Sequence, residues 1–328
     1  MKKEKKISQD NKDRGCSFAD IARLSGVSKQ VVSAILNGGN TSSRFSQATM
    51  DKVKKIAKKL NYRPNITSRN LVNGRHGCIT ILFKNFYRIP FNFPNFLIRR
   101  AETYGQVISF ELLREKLYPR CVNEDRTDGI LLFEDINEKI LRRIRKYSIP
   151  HVFVNCNQRM CENCITFDEE DLIKKVLQYF ADEGKKHPIF LIGNLDYYWN
   201  LERKNTALSS YRQFGFNEIK IIETFRYPTP QQELFKIISG SKLYDSLFIG
   251  EDFGNYQLIA EKFQLERDAR IAYIMASFLP GPNNFLECSI HQVEVPEYTI
   301  DMLNKIINGK SPGGPIKMKY NMRLINRG

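Results

Sequence analysis

Lys29 and Gln30 stand directly after Gly26-Val27-Ser28 and lead a run with apolar residues at Val31, Val32, Ile35 and Leu36. A glutamine can pair bidentately with adenine and a lysine can reach guanine, and the leading side chains of a helix in the major groove are the ones that touch base edges. The chemistry these two positions suggest is therefore base readout. Before the glycine, Phe18, Ile21 and Ala22 keep helical spacing, so two short helices meet at a tight turn, with Val31, Val32 and Ile35 expected inward. Ser17 with Asp20 three residues on caps the first helix, and Ser28 caps the second. That is a helix-turn-helix pattern; a plain helical hairpin is the alternative.

A second chemical cluster is Cys156, Cys161 and Cys164, three thiols within nine residues, of which Cys161-Glu162-Asn163-Cys164 has metal or redox spacing. The chain after it, Cys164-Ile165-Thr166-Phe167, reads as extended, whereas a thioredoxin-like pair should open a helix. A zinc site would need a fourth ligand, with Cys121 or His151 as candidates, so loop thiols without a metal are the simpler reading. The seven cysteines, an odd and scattered count, make no disulfide framework. Four histidines lie far apart, and no phosphate-binding glycine loop or nucleophile elbow occurs. No catalytic residue, metal ligand or cofactor is expected, and the chain is not expected to be an enzyme.

Charge is divided unevenly. Residues 1 to 76 hold 17 Lys and Arg against 5 Asp and Glu, while the remaining 252 hold 34 against 31. A polyanionic partner is implied for the first part, because neutralising phosphates releases condensed counterions. A membrane surface is the rival polyanion. No apolar run approaches the roughly 20 residues needed to span a bilayer, and no cleavable signal opens the chain. A cytoplasmic protein is expected.

The elements that position these residues can be read in order. Residues 1 to 14 are a basic tail expected to lack structure, and 15 to 63 form a small all-α head. In the head Ser46 caps a third helix, with Met50, Val53, Ile56, Ala57 and Leu60 inward and Lys52, Lys54, Lys55, Lys58 and Lys59 outward. Residues 64 to 76 contain NITSRNLVNG, too short and too polar to hold a helix alone. From Cys78, apolar runs at 79–83, 107–113, 130–133, 151–154, 189–193, 247–250 and 271–275 alternate with amphipathic segments. Buried strands separated by helices imply parallel sheets covered on both faces, and about 250 residues suffice for two.

The motifs Asp20-Ile21-Ala22, Gly26-Val27-Ser28, Val32-Ser33 and Asn37, followed by Phe45-Ser46, Thr49, Val53, Leu60-Asn61-Tyr62, Pro64-Asn65 and Leu71, resemble the lactose-repressor (LacI/GalR-type) family of bacterial regulators. The resemblance implies a helix-turn-helix head followed by a hinge helix that wedges a leucine, here Leu71, into the minor groove; an inert linker is the alternative. It further implies a periplasmic-binding-protein-like α/β domain of two lobes over 77 to 328. Lobe 1 is expected at about 77–165 and 295–312, lobe 2 at about 166–294 and 313–328. Weaker matches continue at Asp128-Gly129-Ile130, Pro150, Asp168 and the closing Leu324-Ile325-Asn326-Arg327. Arg203 resembles an arginine ahead of a helix that holds a sugar-like ligand, and Asp252 an aspartate with a similar task; a salt-bridged structural pair is the alternative.

Departures from the family pattern are specific. Met275-Ala276-Ser277-Phe278 replaces a segment that carries a ligand-holding acid, Thr206 replaces a glycine, and Ala34 and Met50 replace customary basic residues. The expectation is a repressor that binds a near-palindromic double-stranded operator as a homodimer. Its DNA contacts would come from Ser28, Lys29, Gln30, Ser33, Asn37, Ser46, Asn65, Ser68, Arg69 and Leu71. A sugar-like or nucleobase-like effector would bind at Arg203 and Asp252. Two alternatives are a vestigial cleft governed by a protein partner or by thiol or metal state, and an enzyme or solute-binding domain fused to a DNA-binding head.

Overall fold

The computed structural model describes residues 16–36, 45–63, 74–84, 92–114, 117–133, 135–157, 163–223, 243–250, 269–275, 285–291 and 293–325, with positions 89, 240, 260, 263 and 264. By its internal contacts the chain divides into two units, 1–76 and 77–328.

The described residues of the first unit form three helices. Helix α1, Phe18–Ser25, starts where the Asp20 carboxylate accepts the Ser17 N–H at 3.1 Å and the Ser17 hydroxyl at 2.7 Å. It ends at Gly26, whose φ of 74° is a left-handed conformation that glycine adopts without steric cost. Helix α2, Lys29–Leu36, begins with the Ser28 hydroxyl accepting the Val31 N–H at 3.3 Å. Helix α3, Gln47–Lys59, begins with Ser46 accepting the Thr49 N–H at 3.3 Å. Each cap satisfies a backbone donor that the first turn leaves unpaired. Ile21, Val32 and Val53, one from each helix, are fully buried in the centre, and Ala22, Ile35, Met50 and Ala57 complete the core. Burying each large aliphatic side chain stabilises the head by about 1.5–3 kcal/mol, and the five α3 lysines all point to solvent.

The second unit contains two six-stranded sheets. The first uses β1 (Cys78–Phe83), β2 (Val107–Leu112), β3 (Gly129–Leu132), β4 (His151–Val154), β5 (Cys164–Phe167) and β11 (Ile316–Met318), in the order β11-β5-β4-β3-β1-β2, all parallel. The second uses β6 (Pro188–Ile192), β7 (Lys220–Glu223), β8 (Ser246–Ile249), β9 (Arg270–Met275), β10 (Phe285–Ser289) and β12 (Asn321–Ile325). Its order is β12-β10-β9-β8-β6-β7, with only β12 antiparallel. Strands β3, β6 and β8 are buried at every position, as expected of strands covered on both faces. Among the described residues the helices between the strands are α4 (Phe93–Thr103), α5 (Arg120–Asn123), α6 (Glu138–Lys146), α7 (Glu169–Asp182), α8 (Tyr198–Ser210) and α9 (Glu294–Ile307).

Three segments carry the chain between the sheets: β5 into α7, β10 into α9, and β11 into β12. The expectation that residues from 313 onward lie in the second lobe is corrected here. Strand Ile316–Met318 pairs with Cys164–Phe167 in the first sheet, so the last crossing lies between Met318 and Asn321. Three residues suffice for a parallel pair beside β5, and their pattern is too short to be read from hydrophobicity alone. Helix α9 returns to the first lobe, where Arg100 of α4 holds Asp301 through two bonds of 2.8 and 2.7 Å. Among the described residues no helix is long and apolar enough to cross a membrane.

Candidate functional site

Ser28, Lys29 and Gln30 are all exposed at the start of α2, while Val32 and Ile35 on its opposite side are buried and Val31 is half-buried. The helix is thus fixed by its apolar side and offers its leading polar side chains outward. Ser46 is exposed at the start of α3, so a second helix N-terminus, with its unpaired N–H groups, is open to an anion. Ser33 is half-buried one turn along α2. Asn37, Asn65, Ser68, Arg69 and Leu71 lie outside the described residues, and so does Asp252.

The second unit treats Arg203 differently from its expected role. It does not precede a helix but sits inside α8, 4% exposed, with its guanidinium turned to partners within the chain. Nε donates to Glu169 Oε2 at 2.7 Å, Nη2 to the Tyr320 hydroxyl at 3.0 Å, and Nη1 to Asn200 Oδ1 at 3.3 Å and to the Gly250 carbonyl. The Tyr320 hydroxyl donates in turn to Glu169 Oε1 at 2.9 Å. The physical reason is Glu169, fully buried, whose carboxylate needs a counter-charge. Burial pushes the Glu169 carboxyl up, and the charge and hydrogen bond of Arg203 with the hydroxyl of Tyr320 oppose that rise. Among the described residues the ion pair of Arg203 is with Glu169. At Gly250 a Cβ would lie 3.0 Å from the Leu191 carbonyl oxygen and 3.2 Å from the Phe248 ring, so this strand end leaves little room for a side chain.

Glu169 opens α7 directly after the first crossing, and Tyr320 lies within the last one, so the ion-pair network ties two crossings to α8. The adjacent Asp168 caps α7 through the Asp171 N–H at 3.1 Å and pairs with Lys317 at 3.0 Å. A separate polar bridge joins the lobes at the carboxyl ends of the first sheet. Asn157, just past β4, donates its side-chain amide to the Asp196 carbonyl at 2.9 Å and accepts the Tyr198 N–H at 2.9 Å. The Tyr198 hydroxyl donates to Asn155 Oδ1 at 2.7 Å. Asn155 has a φ of 51°, a left-handed conformation that asparagine tolerates better than most residues. Asp135 holds the Asn157 N–H at 2.6 Å, which fixes the first-lobe side.

Glu169, Tyr320, Asn155, Asn157 and Tyr198 were not legible as a group in the sequence. A glutamate at the start of a helix reads as an acid favoured by the dipole, and nothing local marks it as the partner of an arginine 34 residues on. The cysteines form no disulfide among the described residues. Cys156 and Cys164 are buried in a core cluster of the first lobe, Cys161 lies outside the described residues, and His151 Nδ1 lies 2.9 Å from the Ile149 carbonyl. Among the described residues no group of three or more His, Cys, Asp or Glu side chains could hold a metal ion.

Comparison with known proteins bears on both units. Residues 17–65 match the family described as bacterial regulatory proteins, lacI family. The chain is 28% identical over 181 residues to the HTH-type transcriptional regulator RegA of Clostridium acetobutylicum, covering 51% of this chain and 52% of that one. It is 26% identical over 186 residues to catabolite control protein A of Staphylococcus xylosus, covering 53% of this chain and 55% of the relative. It thus spans about half the length of these curated relatives. The Lac repressor dimer bound to operator and the anti-inducer ONPF shares the fold, with a TM-score of 0.76 at 16% identity over 95% of this chain and 98% of that one. Residues 17–65 thus carry the lacI-family pattern, and the chain behind them has the fold of the Lac repressor structure.

Proposed function

We propose that the protein is a sequence-specific transcriptional regulator, a repressor, that binds a near-palindromic operator as a homodimer in the cytoplasm and has no enzymatic activity. The observation that carries this reading is the pair Lys29 and Gln30, exposed at the start of a helix whose other side is locked into the head core. Major-groove readout asks for that arrangement. Ser28, Ser33 and Ser46 supply backbone-phosphate contacts in this reading, together with Asn37, and the hinge residues Asn65, Ser68, Arg69 and Leu71 supply the minor-groove part. Two heads are needed for two half-sites. Ile98 of α4, a large apolar side chain exposed on the first lobe, supports a second copy as partner.

A small molecule, sugar-like or nucleobase-like, would act in the interlobe cleft by favouring one lobe arrangement over another. A second reading is favoured by the Asn155–Asn157–Tyr198 bridge and by the internal partners of Arg203. In that reading the cleft is closed by the chain's own side chains, and DNA binding answers to a protein partner or to thiol state. Selection of DNA from a random library by the intact protein, followed by titration of the selected site against sugars, sugar phosphates and nucleobases, tests both. Enrichment of a two-fold symmetric sequence is expected, and failure to enrich any sequence contradicts the regulator reading. Release or tightening by one compound class supports effector control; indifference to the whole panel supports the second reading.

A further inference from the structure

We propose that the first lobe carries a second small-molecule site, outside the interlobe cleft, that takes a hydroxylated organic anion. The site follows from one short crossover. The connections that follow β1, β3, β5 and β6 carry helices of 11, 9, 14 and 13 residues, but the connection from β2 to β3 carries only α5, four residues long. One turn of helix cannot cover the outer strands of a sheet. Cys121 and Val122 of α5 reach the core of that side, and beside them remains a cavity of about 450 Å³. That volume falls within the roughly 300–1,000 Å³ usual for small-molecule sites.

Its chemistry is set by strand alternation. In the parallel register Thr80 lies opposite Ser109 and Leu82 opposite Glu111, so Cys78, Thr80, Ser109 and Glu111 share one face and line the cavity. The Thr80 and Ser109 hydroxyls meet at 2.8 Å and the Cys78 thiol lies 3.5 Å from Ser109, which makes a polar floor able to exchange hydrogen bonds with ligand hydroxyls. Glu111 is already engaged by the backbone N–H groups of Arg120 and Cys121. Burial and the neighbouring Glu111 push the Cys121 thiol well above its usual range, so it stays protonated and is no nucleophile.

The rim is cationic. Arg114, Arg120 and Arg126 line the cavity, with Glu111 as the one acid among its described lining residues. Arg126 is held only by an exposed pair with Glu124, 3.0 Å long, a type of contact worth little and easily exchanged. Guanidinium forks favour carboxylate or phosphate, and Tyr118, whose ring lies 4.6 Å from the Arg143 guanidinium, completes the rim. None of these residues takes part in the bridge between the lobes.

The test uses the full chain with ribose 5-phosphate and citrate as anionic probes and ribose and inorganic phosphate as partial ones. Calorimetric binding is read beside the alkylation rate of Cys78 by N-ethylmaleimide, resolved by peptide mass. Ribose 5-phosphate or citrate is expected to bind and to slow Cys78 alkylation, with ribose and phosphate each weaker. The surface variant Arg114→Gln with Arg126→Gln should bind roughly tenfold or more weakly while keeping its fold. Ser109→Leu, which fills the floor, should abolish binding. No binding of either anion, or binding that the double arginine variant retains in full with Cys78 unprotected, overturns the proposal. Operator binding by the head is read separately, so failure here leaves the regulator reading standing.

Discussion

The polar residues at the start of α2 and the polar residues around Arg203 differ in who their partners are. Lys29 and Gln30 are exposed and held in place by a backbone whose caps and core lie within about one helix of them. Arg203 is buried, and besides Asn200, three residues away, its partners stand 34, 47 and 117 residues away. A side chain meant for an outside partner must keep its donors free of the chain's own acceptors; one held by four internal acceptors works on the protein itself. The difference teaches that an arginine which the sequence offers as a ligand contact can also be drawn into the protein's own framework by a single buried acid, here Glu169.

The comparison can be broken most severely by removing one side of it. Deleting residues 1–76 should abolish DNA binding in a mobility-shift assay while the remaining chain keeps its α/β circular dichroism. Next in size, Arg203→Met leaves Glu169 buried without its counter-charge and should destabilise the second unit by about 3–5 kcal/mol in urea unfolding. The double variant Arg203→Met with Glu169→Leu should recover much of that loss, since no unpaired charge remains. If Arg203→Met instead unfolds like the wild type and only weakens a ligand, the clasp is wrong and the ligand-holding role returns.

Smaller effects sharpen the head. Ser46→Ala removes the hydroxyl that accepts the Thr49 N–H and should cost about 1 kcal/mol of stability, measured by thermal unfolding. Lys55→Ala, an exposed residue on the outer side of α3, should change stability and operator affinity by less than about 0.5 kcal/mol. A large loss of affinity at Lys55 would move the DNA-facing surface from α2 to α3.

How much was legible in the sequence follows the same division. The head was readable because its information is local: caps at Ser17, Ser28 and Ser46, a glycine at the turn, and apolar spacing that fixes which side is buried. Strands such as Ile189 to Ile192 and Leu247 to Ile249 were readable because burial on both faces leaves a continuous apolar run. Strand Ile316–Met318 was assigned to the wrong lobe because three residues carry no period, and only pairing with Cys164–Phe167 places it. The network around Glu169 and the bridge through Asn157 were invisible for a similar reason. Their members are polar residues that sequence treats as surface, and only the crossing of the chain between two sheets brings them together.

The account rests on Gln30 reading a base, and a single binding comparison tests that most directly. Wild type and Gln30→Ala are titrated on the selected operator and on every single-base variant of it, at fixed salt. The account predicts that Gln30→Ala loses about 1–3 kcal/mol of discrimination at one symmetry-related pair of positions and keeps its preference elsewhere. Equal weakening on all sequences would make Gln30 a phosphate contact, and an unchanged base preference would contradict the assignment of α2 as the reading helix.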